Sequence, residues 1–98
     1  VYEYCLIEEL NCRGISTQEQ VVIPLFYKGQ ILGKDFRIDI LVENEIIIEI
    51  KSVDFILPVH EAQLLSYLKL TDKWLGILIN FNVPILKKGF KRLVNGYI

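Results

Sequence analysis

Two carboxylates and a lysine near the middle of the chain have residue types and a spacing suited to metal-dependent chemistry. Asp39, and the pair Glu49 and Lys51, lie in two apolar runs rich in β-branched residues, and the polar stretch Glu43–Glu45 separates the runs. Such runs predict two β-strands, and a polar stretch containing Asn predicts the turn between them. The three side chains are therefore expected on one β-hairpin.

The turn determines which side chains face each other. If the hairpin is symmetric about Asn44, Asp39 pairs with Glu49 and Arg37 pairs with Lys51. Opposite residues have Cβ atoms roughly 4.5–5.5 Å apart, and like charges in that position destabilise the hairpin. A divalent cation would remove the conflict, because two carboxylates beside a lysine form a hard-oxygen site suited to Mg²⁺ or Mn²⁺.

Strand alternation divides this hairpin into a core face and a charged face. The core face is predicted to comprise Ile38, Ile40, Val42, Ile46, Ile48 and Ile50, and the other face Arg37, Asp39, Leu41, Ile47, Glu49 and Lys51. An ordinary solvated face, with the acidic charges offset by Arg37 and Lys51, is the alternative interpretation. Further elements that cover the sheet on more than one face would disfavour that alternative.

The elements that must position these residues follow from periodicity and turn signals. Helices are predicted over residues 2–13 and 59–71, strands over 21–27, 31–42, 46–53 and 74–81, and either a strand or a helix around 90–94. Pro24 predicts that the first strand lies at an edge or carries a bulge. A right-handed crossover would place the strand at 74–81 parallel to the strand at 46–53.

The two helices are each expected to bury one apolar face. For the first helix this face comprises Tyr2, Cys5, Leu6 and Leu10, and for the second it comprises Ala62, Leu65 and Leu68. Cys5 and Cys12 are about two helical turns apart, roughly 10 Å, which is too far for a disulfide. We expect two small buried hydrophobes in a reducing compartment, the cytoplasm.

Composition sets outer limits on fold and partners. The 98 residues predict one domain, and 52% hydrophobic residues are ample for a core. The longest apolar runs fall short of the roughly 18 residues that a membrane-spanning helix needs. A net charge of −1 excludes a global field that attracts nucleic acid, so such binding would depend on local basic clusters.

The spacing Asp39, nine residues, Glu49-Ile50-Lys51 resembles the D…ExK signature of the PD-(D/E)XK nuclease superfamily. More closely, the whole chain is similar to the small bacterial family of GxxExxY proteins. The similar segments are Tyr2–Leu10, Asp39–Val42, Pro58–Thr71, which is the most specific, and Ile79–Pro84. We match Tyr2 to the final Tyr of the family's naming motif. The Glu of that motif would precede Val1, so we expect that upstream residues are missing here.

The resemblance implies a restriction-endonuclease-like α/β fold. Its αβββαβ core is a mixed sheet, with a three-strand antiparallel meander plus a parallel crossover strand, flanked by helices. It also implies a metal-dependent nuclease. Asp39, Glu49 and the carbonyl of Ile50 would hold Mg²⁺ or Mn²⁺, and Lys51 would orient water or stabilise the transition state. Gln63 and Tyr67 resemble the QxxxY element of RecB-like nucleases, which positions the active site and DNA.

Nucleic acid, DNA in particular, is therefore the expected partner. Candidate contacts are Tyr67, Lys87, Lys88, Lys91 and Arg92, although a basic tail of this kind is also a common solvated charge run. His60 has no partners at metal-ligand spacing and is not expected to be a ligand. No membrane partner is expected, and a homodimer stays open. Two other classes also stay open, a catalytically inactive nuclease-fold module that binds nucleic acid or protein, and a structural interaction domain.

Overall fold

Helices and strands follow one another in the predicted αβββαβ order. The computed structural model describes residues 2–27, 30–82 and 89–96, with side chains for 3–23, 36–82 and 89–96. The elements are α1 (Tyr2–Cys12), β1 (Thr17–Tyr27), β2 (Gln30–Val42), β3 (Ile46–Lys51), α2 (Pro58–Thr71), β4 (Leu75–Asn80) and β5 (Phe90–Val94). The ambiguous tail thus contributes a strand.

The strands form one mixed sheet in the order β1-β2-β3-β4-β5. The meander β1-β2-β3 is antiparallel, and α2 carries the chain to β4, which pairs parallel to β3. The final strand, β5, pairs antiparallel to β4. The predicted mixed sheet and the parallel crossover strand are confirmed. Pro24 lies on the edge strand, and the register between β1 and β2 shifts between Pro24 and Phe26, so its predicted bulge is also confirmed.

Apolar side chains cover both faces of the sheet. The cluster on the α2 face comprises Ile38, Leu41, Ile47, Leu64, Tyr67, Leu68 and Leu78. The cluster on the α1 face comprises Ile7, Ile40, Val42, Ile48 and Ile79. Neighbouring strand residues alternate between the clusters, which explains why β4 is apolar along nearly its whole length. A sheet that is covered on both faces disfavours the interpretation of β2 and β3 as an ordinary solvated hairpin.

The predicted core face of β2 is wrong at one residue. Ile38 lies in the α2-face cluster with Leu41, whereas Ile40 lies in the α1-face cluster. Strict alternation would place Ile38 with Ile40, so the regular pleat is interrupted around Asp39. The neighbouring strand is irregular at the same level, because Gln20 of β1 has a φ of 50°.

In both helices the buried face matches the predicted one only in part: Leu6, Leu10 and Leu68 pack on the sheet as predicted, whereas other predicted positions do not. In α1, Leu6, Ile7 and Leu10 pack against the sheet. The buried stripe therefore centres on Ile7, and Cys5 lies about 200° away from that residue around the helix. Cys5 and Cys12 are accordingly free but exposed, so their predicted burial is wrong.

In α2 the fully buried positions are Leu64, Tyr67 and Leu68. Ala62 is exposed and Leu65 is only partly buried, because the helix turns its Leu64 side toward the sheet. Gly76 of β4 lies directly beneath, and a Cβ there would come within 2.9 Å of the Leu64 side chain. Within the described residues, neither helix has the length and apolarity to cross a membrane.

Candidate active site

The β2–β3 hairpin brings the two central carboxylates close to each other. Its backbone pairs are Ile40–Ile48, Leu41–Ile47 and Val42–Ile46, so the predicted symmetry about Asn44 is confirmed. Asn44 itself has a φ of 53°, which this residue type tolerates better than most. Backbone pairing stops at Ile40–Ile48, so the predicted backbone pairs of Asp39 with Glu49 and of Arg37 with Lys51 are not formed along these two described strands. The next positions along the hairpin are Asp39 and Glu49.

Where the backbone pairing stops, the Asp39 and Glu49 carboxylates accept hydrogen bonds between the two strands. The N–H of Ile50 donates a hydrogen bond of 2.8 Å to Oδ2 of Asp39, and the N–H of Asp39 donates one of 3.3 Å to Oε1 of Glu49. Each carboxylate is thus anchored by a backbone group of the opposite strand. The two acidic groups converge between β2 and β3.

Glu49 is the most perturbed acid among the described residues. Its side chain is only 4% exposed. Burial, and then the negative charge of Asp39, raise the pKa of Glu49 from 4.5 to about 8, and the charge of Lys51 offsets only a small part of that rise. Without a cation, Glu49 is therefore mainly protonated at neutral pH, because two close carboxylates in a buried place cannot both ionise.

A chain of hydrogen bonds links Lys51 to the protein core. Lys51 Nζ donates to Oε1 of Gln63 at 3.1 Å, and Nε2 of Gln63 donates to the Tyr67 hydroxyl at 3.1 Å. Gln63 therefore faces the β3 side of the sheet, as predicted. Tyr67 is 4% exposed, and its ring centroid lies 5.0 Å from that of Phe36.

Tyr67 is placed to hold its neighbours rather than to stack on a nucleobase. Burial, followed by the charges of Glu49 and Asp39, raises the pKa of the Tyr67 hydroxyl. The hydroxyl therefore keeps its proton at physiological pH and accepts from Gln63. This arrangement fixes the Gln63 amide, which in turn fixes the ammonium group of Lys51.

The donor set at the end of the hairpin fits a hard divalent cation. Asp39 and Glu49 supply carboxylate oxygens, and the Ile50 carbonyl belongs to the same stretch of β3. In the part of the chain that the structure describes, no group of three or more His, Cys, Asp or Glu side chains is placed to hold a metal. Mg²⁺ commonly uses one or two carboxylates and takes its other oxygens from water and substrate phosphates. A two-carboxylate site therefore suits Mg²⁺ or Mn²⁺ better than Zn²⁺.

Asn80 is a structural element of the site that sequence reasoning missed. It is 2% exposed and pairs in register with Lys51. Its Oδ1 accepts from the N–H of Val53 at 3.1 Å, and its Nδ2 donates to the Val53 carbonyl at 2.8 Å. These bonds fix the chain that leaves Lys51 and end β3 at Lys51, two residues earlier than predicted. The sequence signal that could have identified Asn80 is its position as the only amide side chain in β4, at the end of an otherwise apolar strand.

The remaining candidates are placed less centrally. Nδ1 of His60 accepts the Leu57 N–H at 3.0 Å and caps α2, which agrees with its exclusion as a metal ligand. Lys91 forms an ion pair of 2.9 Å with Glu61. Arg92 is exposed, and Lys87 and Lys88 lie outside the described residues. Contact between this basic tail and nucleic acid stays a prediction.

The sheet order, together with the Asp39 and Glu49-Ile50-Lys51 cluster, defines an α/β domain of the nuclease type. The chain belongs to the PD-(D/E)XK nuclease superfamily, whose family model matches residues 1–93. No curated protein matches the chain significantly.

Among solved structures, the chain is similar to the protein in "Crystal structure of SSO0001". The TM-score is 0.68 at 23% sequence identity, over 99% of this chain and 50% of that chain. At this identity the likeness shows the fold alone. The chain spans half the length of that protein.

Proposed function

We propose that this chain hydrolyses phosphodiester bonds in nucleic acid, with DNA as the substrate and Mg²⁺ or Mn²⁺ as the cofactor. The observation that carries the proposal is the convergence of the Asp39 and Glu49 carboxylates beside Lys51, at the point where the backbone pairing of β2 and β3 stops. Membership of a nuclease superfamily supports the assignment. The segment Pro58–Thr71 further supports a place among the GxxExxY proteins.

Asp39, Glu49 and the Ile50 carbonyl are the groups that would hold the cation. A bound divalent cation lowers the pKa of water and neutralises charge on the scissile phosphate. Each carboxylate is already tied to a backbone N–H, so little side-chain freedom remains to be lost on binding. A cation held there would offset the part of the rise in the pKa of Glu49 that the charge of Asp39 adds to the effect of burial.

Lys51 would act on the substrate through its charge. An ammonium group beside the two carboxylates can orient the attacking water or stabilise the negative charge that builds on the phosphate. Gln63 holds this ammonium, and Tyr67 holds Gln63. Gln63, a catalytic candidate on sequence grounds, thus acts in this proposal as a positioning residue, together with Tyr67.

The cytoplasm is the compartment that we propose for this activity. Cys5 and Cys12 are free and exposed, and exposed free thiols persist best where the environment is reducing. Nucleic acid is available in that compartment as a partner.

Cleavage of labelled single-stranded and double-stranded DNA by full-length protein tests the proposal. Activity should require Mg²⁺ or Mn²⁺ and vanish with chelator. Lys51→Ala should lower the rate by on the order of a hundredfold, since it removes a charge that acts in the transition state. Lys69→Ala removes the same charge from an exposed position of α2 and should leave the rate unchanged.

Two results would contradict the mechanism: cleavage that persists in chelator, and a Lys51→Ala rate equal to that of the parent protein. Tight binding of DNA with no cleavage under any metal condition would favour the catalytically inactive binding module instead.

A further inference from the structure

A cavity of about 400 Å³ opens at the C-terminal ends of β3 and β4, separate from the carboxylate pair. Asn80 contributes to its lining and pairs with Lys51 on the neighbouring strand. Because adjacent strands lie about 4.8 Å apart, the cavity begins one strand away from the candidate active site. Glu61, of the same α2 turn as Gln63, forms another part of its wall.

Two aromatic side chains at this cavity are unusually exposed. Phe55 is 77% exposed and Phe90 is 49% exposed, and both line the cavity. Single exposed apolar residues are common, but two aromatic rings at one concave place are typical of a binding surface. Each ring offers a flat apolar face that gains free energy when it is covered.

The loop that carries Phe55 is held in place. Asn80 binds both backbone groups of Val53, and Nδ2 of Asn82 donates to Oδ1 of Asp54 at 3.2 Å. Ile56, on the other side of Phe55, packs against the α2-face cluster. Phe55 is therefore presented to solvent between anchored neighbours, which lowers the entropy cost of binding against its ring.

Charge and size indicate what would cover these rings. The charged groups of the wall are Asp54, Glu61 and Lys91, and Lys91 is already paired with Glu61. Such a wall has no surplus of positive charge for a phosphate, whereas its two exposed aromatic rings suit the flat face of a heterocycle. A volume of about 400 Å³ lies in the range of small-ligand sites and is too small for a helix. A planar nucleobase fits both properties.

We propose that this cavity binds an unpaired nucleobase of the substrate strand, close to the phosphate at Asp39, Glu49 and Lys51. The inference rests on the proposed function and narrows its substrate to single-stranded or frayed nucleic acid. Bases inside an intact duplex are stacked and would have to be extruded at a cost of a few kcal/mol to reach such a pocket. Stacking on an aromatic ring, in contrast, tolerates any base.

The test is the binding of a short DNA strand that carries the fluorescent base 2-aminopurine to full-length protein in chelator, so that no cleavage occurs. Stacking should quench the fluorescence of the base. Phe55→Ala and Phe55→Leu should each weaken binding about tenfold or more and abolish the quenching, since stacking on an aromatic side chain contributes about this much per base. Phe55→Tyr should retain both. Leu70→Ala, a truncation of another exposed apolar residue on α2, should bind like the parent.

The Leu variant distinguishes a base from an apolar protein partner. If Phe55→Leu binds as tightly as the parent, the ring does not stack and the proposal is overturned, as it is if duplex and single strand bind equally well. Quenching without cleavage once Mg²⁺ is added would support the subsite and contradict hydrolysis. Metal-dependent cleavage that Phe55→Ala leaves unaltered on single strands would contradict the subsite and leave hydrolysis standing.

Discussion

The two ends of the β2–β3 hairpin are built from similar sequence but are held together in different ways. At the turn end, Leu41–Ile47 and Val42–Ile46 pair through the backbone, and all but the partly buried Ile46 are buried. The Glu43 N–H also donates to the Ser16 carbonyl at 2.8 Å, which ties the turn to the start of β1. At the open end, the Asp39 and Glu49 side chains replace the backbone pairing.

The turn end of the hairpin therefore specifies the fold, whereas the open end provides the groups available for chemistry. Burial of apolar groups stabilises the turn end at any pH at which the chain folds. The open end places two carboxylates together. Burial there, and then the charge of Asp39, raise the pKa of Glu49 to about 8. Local groups that conflict in the absence of a ligand are characteristic of functional sites. Variants at each end should therefore affect different properties.

Ile47→Ala should have the largest effect on stability. Ile47 has 0% exposure in the α2-face cluster, and truncation of such a residue removes roughly 2–5 kcal/mol from the free energy of unfolding. Denaturation in urea measures the loss. The control is Val22→Ala, a β-branched residue that is 45% exposed on β1 and should cost much less. An Ile47→Ala loss below about 1 kcal/mol would mean that the turn end does not specify the fold.

Glu49→Gln should remove a pH dependence that belongs to the open end. The pKa of Glu49 is about 8 in the folded protein, above its ordinary value of 4.5. The folded state therefore binds more protons than the unfolded state between these values. Stability of the metal-free protein should fall as pH rises through this window, by on the order of a few kcal/mol.

In Glu49→Gln the dependence of stability on pH should flatten, because the amide is neutral at every pH and resembles the protonated acid. Urea denaturation at several pH values in chelator measures it. Glu8→Gln, on the exposed side of α1, should keep the slope of the parent. A slope that survives in Glu49→Gln would show that another group causes the pH dependence.

Tyr67→Phe should have the smallest effect. It keeps the ring against Phe36 but removes the hydroxyl that accepts from Gln63. One neutral hydrogen bond contributes about 0.5–1.5 kcal/mol, and the exposed Gln63 amide can bond to water instead. We expect a small loss of stability and a few-fold lower kcat with little change in KM, as for Gln63→Ala. Full activity in both variants would rule out a positioning role for this pair, and Tyr4→Phe, at 66% exposure, is the matched control.

The elements that sequence could predict are those set by local patterns. The order of β1 to β4 and the symmetric turn at Asn44 follow from periodicity and turn chemistry, so the approach of Asp39 to Glu49 was accessible. The side of Ile38 was not accessible, because the alternation of residue types does not show that the pleat is interrupted around Asp39, level with the irregular Gln20 of β1. The faces of α1 and α2 were predicted only in part, because several apolar residues surround each helix, and only the shape of the sheet selects among them.

The role of Asn80 could not be predicted from the sequence for a different reason. Its partners are both backbone groups of Val53, 27 residues away, and the backbone N–H of Asn82. Any residue type except proline offers such a backbone N–H, so the sequence does not reveal the pairing. The chemistry of the carboxylate pair was therefore predictable from side-chain types, whereas the Asn80 bonds that hold the loop after Lys51 became visible only in three dimensions.

The most direct test of the central claim is calorimetric titration of the full-length protein with Mn²⁺ or Mg²⁺ at pH 7, in two buffers of different ionisation enthalpy. Because the pKa of Glu49 is about 8 without a cation, binding should release about one proton per ion. The release should fade as pH is raised above that pKa. Asp39→Asn should abolish binding. Binding without proton release at pH 7, or equally tight binding by Asp39→Asn, would contradict a cation site built from Asp39 and Glu49.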